Sequence, residues 1–344
     1  MNAEDSVSRD LHALRERMGE DLLILGHHYQ RASVLAHADY RGDSLELARR
    51  AAAARQARRI VFCGVRFMAE SADILTTAEQ EVYLPAPSAD CPMARMADAQ
   101  SMRAALARLN EDAHDWLPIV YVNSTVEVKA CCGEWSGSAC TSSNAARVFQ
   151  WALQQGKKVL FLPDEHLGVN TARDLGLPDD EVGLYDPRRP DGGLTAADVR
   201  QFRVLAWKGY CLVHAAFHAE VVRAVREERP AAKIIVHPEV PRAVVELADA
   251  HGSTSQIIEY VKQAPAGSEI IVGTELNLVE RLAHEERGRV TVKALAPVVC
   301  ANMAKTHVGS VLNVLKHWPD GARVRVPESI AVPARRALDT MLAL

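Results

Sequence analysis

Three cysteines share a setting. Cys91 ends the run EVYLPAPSADC, Cys211 ends FRVLAWKGYC and Cys300 ends TVKALAPVVC, and a helical pattern begins after each one. Three other short apolar runs end in groups able to do chemistry: Gly26-His27-His28-Tyr29, Tyr121-Val122-Asn123 and His237-Pro238-Glu239. Hydroxyl-bearing helix starts follow these at Gly42-Asp43-Ser44, Thr141-Ser142-Ser143 and Gly252-Ser253-Thr254. Thiolates hold soft metals. Imidazole, phenol and carboxylate move protons when their pKa values are tuned. Hydroxyls and backbone N–H groups at helix starts suit carboxylate or phosphate. In His-Pro-Glu the proline stops the strand and aims the Glu239 carboxylate out of the sheet.

These groups need a scaffold that brings them together. LLILGHHYQ, RRIVFCG, PIVYVNST, KKVLFLPD, KIIVHPEV and EIIVGTE are short β-branched runs ending in Gly or polar residues, as buried parallel strands do. Amphipathic stretches such as SLELARRAAAARQA and AARVFQWALQQG lie between them, so the fold is α/β with parallel sheets. The order of parts occurs three times: polar strand end, hydroxyl helix start, second strand and helix, then a third strand running into a cysteine. This predicts three similar units of roughly one hundred residues each. The first spans 1–92, the second 93–210 and the third 211–300. Residues 301–344 form a C-terminal closing segment, read as a short strand and a helix, that could complete the first unit or close the third onto it. A further helix is expected at residues 5–18. Ligands of parallel sheets sit beyond the carboxyl ends of the strands. If the units close around a pseudo-threefold axis, the strand ends, helix starts and cysteines meet in one pocket.

Seven cysteines without any C-x-x-C disfavour a disulfide framework, a thioredoxin motif and a zinc ribbon. Cys63, Cys131, Cys132 and Cys140 read as small buried hydrophobes. For Cys91, Cys211 and Cys300 that reading stands beside metal ligation, which their shared place in the repeat favours. Three thiolates on a four-iron cubane leave one iron open, as a Lewis-acid catalyst requires. The alternative is a closed Cys3His zinc site completed by His214. Neither G-x-G-x-x-G after a strand nor G-x-x-x-x-G-K-[ST] occurs, which weakens a nucleotide-binding reading. A net charge of −4 gives no reason to expect nucleic acid. The first twenty residues lack the apolar run of a signal peptide and no stretch approaches a membrane span, so the expected location is cytoplasmic. A receptor of periplasmic type is disfavoured on the same ground.

Taken in order, Gly26-His27-His28-Tyr29-Gln30, Gly42-Asp43-Ser44-Leu45, Val65-Arg66-Phe67-Met68-Ala69-Glu70, Tyr121-Val122-Asn123, Cys140-Thr141-Ser142-Ser143-Asn144, Gly209-Tyr210-Cys211, His237-Pro238-Glu239, Gly252-Ser253-Thr254-Ser255-Gln256 and Cys300-Ala301-Asn302-Met303 resemble quinolinate synthase. The resemblance implies three α/β/α sandwich units in a triangle around a central [4Fe–4S] cluster, one per chain, on Cys91, Cys211 and Cys300. It implies condensation of iminoaspartate with dihydroxyacetone phosphate to quinolinate, phosphate and water, a step toward NAD. Substrate contacts fall on His27, Ser44, Tyr121, Asn123, Ser142, His214, His237, Glu239, Arg242 and Thr254. Glu239, Tyr121, Tyr29 and His237 are the candidate catalytic groups. No membrane or nucleic-acid partner is implied; monomer and homodimer are both compatible, and an aspartate-oxidising enzyme is the expected source of iminoaspartate. Two departures stand out. Residues 130–139 read as an extended loop bringing extra thiols near the site, and Val240 follows His-Pro-Glu where a cysteine is often expected.

Overall fold

Fourteen strands fall into three sheets in the computed structural model, which describes residues 3–111 and 115–344. In chain order they are β1 (Leu22–His27), β2 (Tyr40–Gly42), β3 (Arg59–Cys63), β4 (Glu81–Tyr83), β5 (Trp116–Tyr121), β6 (Ser138–Cys140), β7 (Lys158–Leu162), β8 (Val182–Tyr185), β9 (Val204–Trp207), β10 (Lys233–Val236), β11 (Ala250–His251), β12 (Glu269–Gly273), β13 (Thr291–Ala294) and β14 (Arg323–Val324). The sheets run β2-β1-β3-β4-β14, β6-β5-β7-β9-β8 and β11-β10-β12-β13. Every pairing is parallel except that of β14 with β4. Each sheet therefore places its first strand between its second and third. The chain direction across the sheet reverses there, and such switch points open a crevice at the strands' carboxyl ends. His27, Tyr121 and His237 stand at or just past the carboxyl ends of these first strands.

Helices cover both faces of the sheets, which is why β1 and β5 are buried at every residue. In the first unit Leu11, Val311, Leu312 and Leu315 pack on Leu22, Ile24 and Val61, while Leu47, Ala51, Phe67 and Ala72 belong to the core that holds Leu23, Leu25, Ile60 and Phe62. In the third, the helices Thr254–Gln263 and Leu276–Glu285 cover one face and Ala219–Glu228 the other. Among the described residues no helix is long and apolar enough to cross a membrane.

Two segments differ from the sequence reading. Residues 130–139 are not an extended loop: Val126–Glu134 is a helix, and β6 follows almost at once. Thr125 Oγ1 accepts the Val128 N–H at this helix's start. The helix is buried from Val126 to Gly133 except at Glu127, so it lacks the one-sided apolar stripe by which surface helices are read. The segment after Cys300 reaches beyond the first unit. Helix Val308–His317 packs on that unit's sheet and β14 extends the sheet, but the last helix, Glu328–Ala343, crosses to lie against Val126–Glu134 and β6.

Candidate active site

The strand ends are fixed by the turns that follow them. His27 accepts the Gln30 N–H at its carbonyl (2.9 Å) and the Tyr29 N–H at Nδ1 (3.2 Å). His237 repeats this in the third unit, with Val240 N–H on its carbonyl (3.1 Å) and Glu239 N–H on Nδ1 (3.4 Å). Tyr29 and Glu239 are thus equivalent by position and differ in chemistry. In the second unit Ser124 Oγ donates to the Tyr121 carbonyl (2.7 Å) and sets the turn carrying Asn123.

The strand-end side chains line one cavity of about 210 Å³ at the meeting of the three units. His27, Tyr29 and Ser44 come from the first, Tyr121, Asn123 and Ser142 from the second, His237, Glu239 and Thr254 from the third, and Cys91, Cys211, His214 and Cys300 also line it. Arg242 is not among the lining residues; it opens the short helix Arg242–Val245 and its Nε donates to Glu246 Oε1 (2.5 Å). Cys63, Cys131, Cys132 and Cys140 are fully buried and none lines the cavity, so the expected extra thiols lie away from it. Ser142 also differs from expectation. Its helix begins three residues later at Ala145, because Asn144 Oδ1 accepts the Thr141 N–H (2.8 Å) and closes a turn first.

A continuous chain of hydrogen bonds crosses the cavity wall. Tyr29 Oη meets Thr274 Oγ1 (2.8 Å), which meets His214 Nε2 (3.1 Å), whose Nδ1 meets Glu239 Oε2 (2.5 Å). Tyr121 bonds the same carboxylate. Burial pushes both phenols well above their ordinary range, and the Glu239 charge adds to the shift. Burial alone would raise the Glu239 carboxyl, but His214, His237 and Tyr121 hold it below the ordinary value, leaving a carboxylate. Burial drives His27 down to about 4 and His237 to about 3, so both are neutral imidazoles near pH 7. Asn123 Oδ1 is buried with no hydrogen-bond partner, a vacancy that a ligand's donor would fill.

The cysteines share a setting, with a turn that closes three residues on at Cys91 and four residues on at Cys211 and Cys300. Each opens a turn, with Ala94 N–H on the Cys91 carbonyl (3.1 Å), Ala215 on Cys211 (2.8 Å) and Ala304 on Cys300 (3.0 Å). The turn also aims backbone N–H groups at each sulfur: Met93 and Ala94 at Cys91, His214 at Cys211, Asn302 and Met303 at Cys300. Such N–H groups favour thiolate. Burial works the other way and lifts Cys91 to about 12; Cys300 adds to that rise, as Cys91 does to that of Cys211. The three sulfurs line one cavity, and as thiolates they are ligands for a soft metal. Cys211, His214 and Glu239 offer a second, mixed set, with ligand atoms within 4.8 Å of one another. In that set both nitrogens of His214 are already hydrogen-bonded and would have to break a bond to ligate.

Two residues with site roles were not singled out from the sequence. Asp43 Oδ2 accepts Ser143 Oγ (2.5 Å) and Ser255 Oγ (2.9 Å), while Oδ1 caps helix Ser44–Ala53, so one carboxylate joins all three units. The capping box of Asp43 with Glu46 was the available signal. Thr274 left only the weaker trace of a hydroxyl just past β12.

Three α/β units sharing a cavity walled by acid–base groups and soft metal donors define an enzyme, with its centre built at the junction of the units. The family model described as quinolinate synthetase A protein matches residues 9–343. Quinolinate synthases of Corynebacterium glutamicum (43% identical, covering 99% of this chain and 88% of the relative), Streptomyces coelicolor (44%, 99% and 88%) and Bacillus subtilis (42%, 96% and 91%) are similar to it. The chain belongs to the quinolinate synthase family and has that family's place in NAD biosynthesis.

Proposed function

We propose that this chain condenses iminoaspartate with dihydroxyacetone phosphate to form quinolinate, phosphate and water, and that Cys91, Cys211 and Cys300 hold a [4Fe–4S] cluster. The observation carrying this reading is that the three units each deliver one cysteine, at the start of a turn, to one cavity. When bound, the cluster supplies an iron without a protein ligand, a Lewis acid for a substrate oxygen or nitrogen.

The chain's own groups do the rest. Neutral His27 and His237 with the hydroxyls of Ser44, Ser142 and Thr254 hold carboxylate and phosphate oxygens without placing a competing anion on them. Asn123 Oδ1 accepts a substrate N–H or O–H. Glu239, an ionised base, takes a substrate proton. Tyr29, kept protonated by burial, delivers a proton to a departing hydroxyl and regains one through Thr274 and His214. A proton entering at Glu239 and another leaving at Tyr29 keep the charge of the chain constant. Tyr121 steadies the carboxylate between events. Arg242 is held by Glu246 through Nε and stands outside the cavity lining, so a contact with phosphate would need its side chain to move. Seven unpaired cysteines fit a reducing, cytoplasmic setting, with iminoaspartate supplied by oxidation of aspartate.

The second reading is a single zinc ion on Cys211, His214 and Glu239. Anaerobic absorption with iron and sulfide counts separates the two. Roughly four irons per chain, lost in Cys91→Ala, Cys211→Ala and Cys300→Ala but kept in Cys63→Ala, is the expected result. A colourless protein after reconstitution, or one binding zinc alone, overturns the cluster.

A further inference from the structure

The threefold arrangement extends behind the cysteines. In each unit the first N–H of the helix after the third strand donates to the carbonyl two residues before the cysteine: Arg66 to Ala89 (2.8 Å), Glu165 to Gly209 (2.8 Å) and Leu276 to Val298 (2.9 Å). The residue capping that helix is Val65, Asp164 or Glu275. Asp164 and Glu275 are fully buried and serve two structures at once. Asp164 Oδ1 accepts the Leu167 N–H of its helix (2.7 Å), and Oδ2 accepts the N–H of Cys211 itself (3.1 Å). Glu275 Oε2 accepts the Asn277 N–H (2.8 Å), and Oε1 accepts the N–H of Cys300 (3.2 Å) together with Asn277 Nδ2 (2.7 Å). Val65 has no acceptor to offer. In its unit the Cys91 N–H turns instead to the neighbouring Asp90 Oδ1 (2.9 Å), whose other oxygen takes Arg95 Nε (2.5 Å).

The same backbone group of all three cysteines is thus bound by a carboxylate, by two different routes. A helix cap needs one oxygen, and Asp98, on helix Ala99–Leu109, caps without touching any cysteine. Capping alone therefore leaves the second bond unexplained. Conversely, the first unit has no acceptor at the cap and takes one from Asp90 instead.

We infer that Asp164 and Glu275 are positioning residues for the metal centre, each fixing a cysteine through its backbone N–H, with Asp90 in that role in the first unit. The inference rests on the cluster reading above. A fixed N–H of this kind has two consequences: it holds the sulfur's direction, and it withholds one hydrogen bond from the cluster's own sulfur atoms. Hydrogen bonds to cluster sulfur favour the reduced state. Freeing the N–H toward the cluster's sulfur therefore moves the reduction potential upward.

The test uses the full chain, reconstituted anaerobically, as Asp164→Asn, Glu275→Gln, Asp90→Asn and the cap-only control Asp98→Asn. In Asp164→Asn the amide oxygen can still cap the helix while its NH2 confronts the Cys211 N–H. Competition with an iron chelator should show about tenfold weaker retention in the first three variants, the loss typical when an outer partner of a metal ligand is removed. Their midpoint potentials should rise, and Asp98→Asn should match wild type in both. If one buried variant fails to fold, the half-exposed Asp90→Asn and the remaining one decide. Wild-type protein that loads iron alongside folded variants with unchanged retention and potential overturns this inference alone. Wild-type protein that takes up no iron overturns the cluster reading and this inference with it.

Discussion

Thr274→Val removes one hydroxyl from the middle of the chain joining Tyr29 to Glu239 and keeps nearly the same volume. Two partners lose a bond. His214 Nε2 loses its 3.1 Å contact, and Tyr29 Oη loses its 2.8 Å contact while keeping a 3.4 Å approach from Thr254 Oγ1. His214 is 1% exposed and Thr274 0%, so water does not replace the lost bonds without rearrangement. An unsatisfied buried group costs about 1–3 kcal/mol, so the two together cost about 2–6 kcal/mol, toward the lower end because Tyr29 keeps a partial partner. That is the purely structural effect, read as a lower melting temperature. The chemical effect is separate. If the proton that Tyr29 delivers is replaced through Thr274, kcat falls by about 10²–10⁴, the range for losing a positioned proton donor, while KM changes little because Thr274 does not line the cavity. Thr274→Ser restores the hydroxyl and should recover most of kcat. The assay is steady-state quinolinate formation by iron-loaded protein in H2O and D2O, with a melting curve for each variant. A Thr274→Val enzyme that melts earlier yet turns over within about threefold of wild type, with the same solvent isotope effect, would refute the relay and leave Thr274 a packing residue.

Glu239→Gln, with the cluster intact, should bind substrate and turn over at least about a hundredfold more slowly; unchanged turnover removes Glu239 from the mechanism. The same carboxyl gives a pH prediction. Its folded pKa lies below the ordinary 4.5, so its contribution to stability is full above that value and is lost as pH falls through the folded value. Glu239→Gln should therefore lose less stability than wild type on acidification below about pH 4.5, measured by denaturant titration, and parallel losses would contradict the assignment. Asn123→Ala deletes a cavity-lining acceptor that is buried without a partner among the described residues, and KM should rise about tenfold with kcat less affected, the worth of one hydrogen bond; an unchanged KM would mean the substrate does not meet it. Gly133→Ala would place a Cβ 1.9 Å from the Pro333 carbonyl oxygen, a backbone atom that cannot step aside, and so would lever the last helix off the second unit. We expect destabilisation of about 1–3 kcal/mol or more, seen as a lower melting temperature, and a melting curve like wild type would show that the last helix shifts freely.

How much of this was legible beforehand depends on the kind of signal each element leaves. The first strands β1, β5 and β10 are apolar and almost wholly buried, and they read directly from composition. Strands β2, β6 and β11 are two or three residues long and carry no pattern of their own. Only the sheet order shows them as the same edge strand in three copies. Helix Val126–Glu134 escaped because complete burial erases periodicity. Its Cys131 and Cys132 are the small buried groups they were read as, but they sit on this helix rather than on a loop near the site.

The site divides along the same line. Residues whose type announces chemistry, the three cysteines, His27, Tyr121, His237 and Glu239, were found because parallel sheets confine ligands to one side, and a repeat of strand ends then specifies the place. Asp43, Asp164, Glu275 and Thr274 were not, since an acidic cap or a hydroxyl after a strand is ordinary in any α/β protein. Their meaning lies in partners over forty residues away: Ser143 and Ser255 for Asp43, Cys211 for Asp164, His214 for Thr274. For Glu275 the partner, Cys300, is nearer but still beyond the following helix and strand. A threefold arrangement makes such partners inferable in principle, because a contact seen in one unit predicts its counterpart in the next. The prediction fails where a unit differs, as at Val65, and there Asp90 makes the same contact from another position. What recurs across the three units is the bond to the cysteine N–H rather than any sequence motif, which is why it becomes visible only when the three turns are laid over one another.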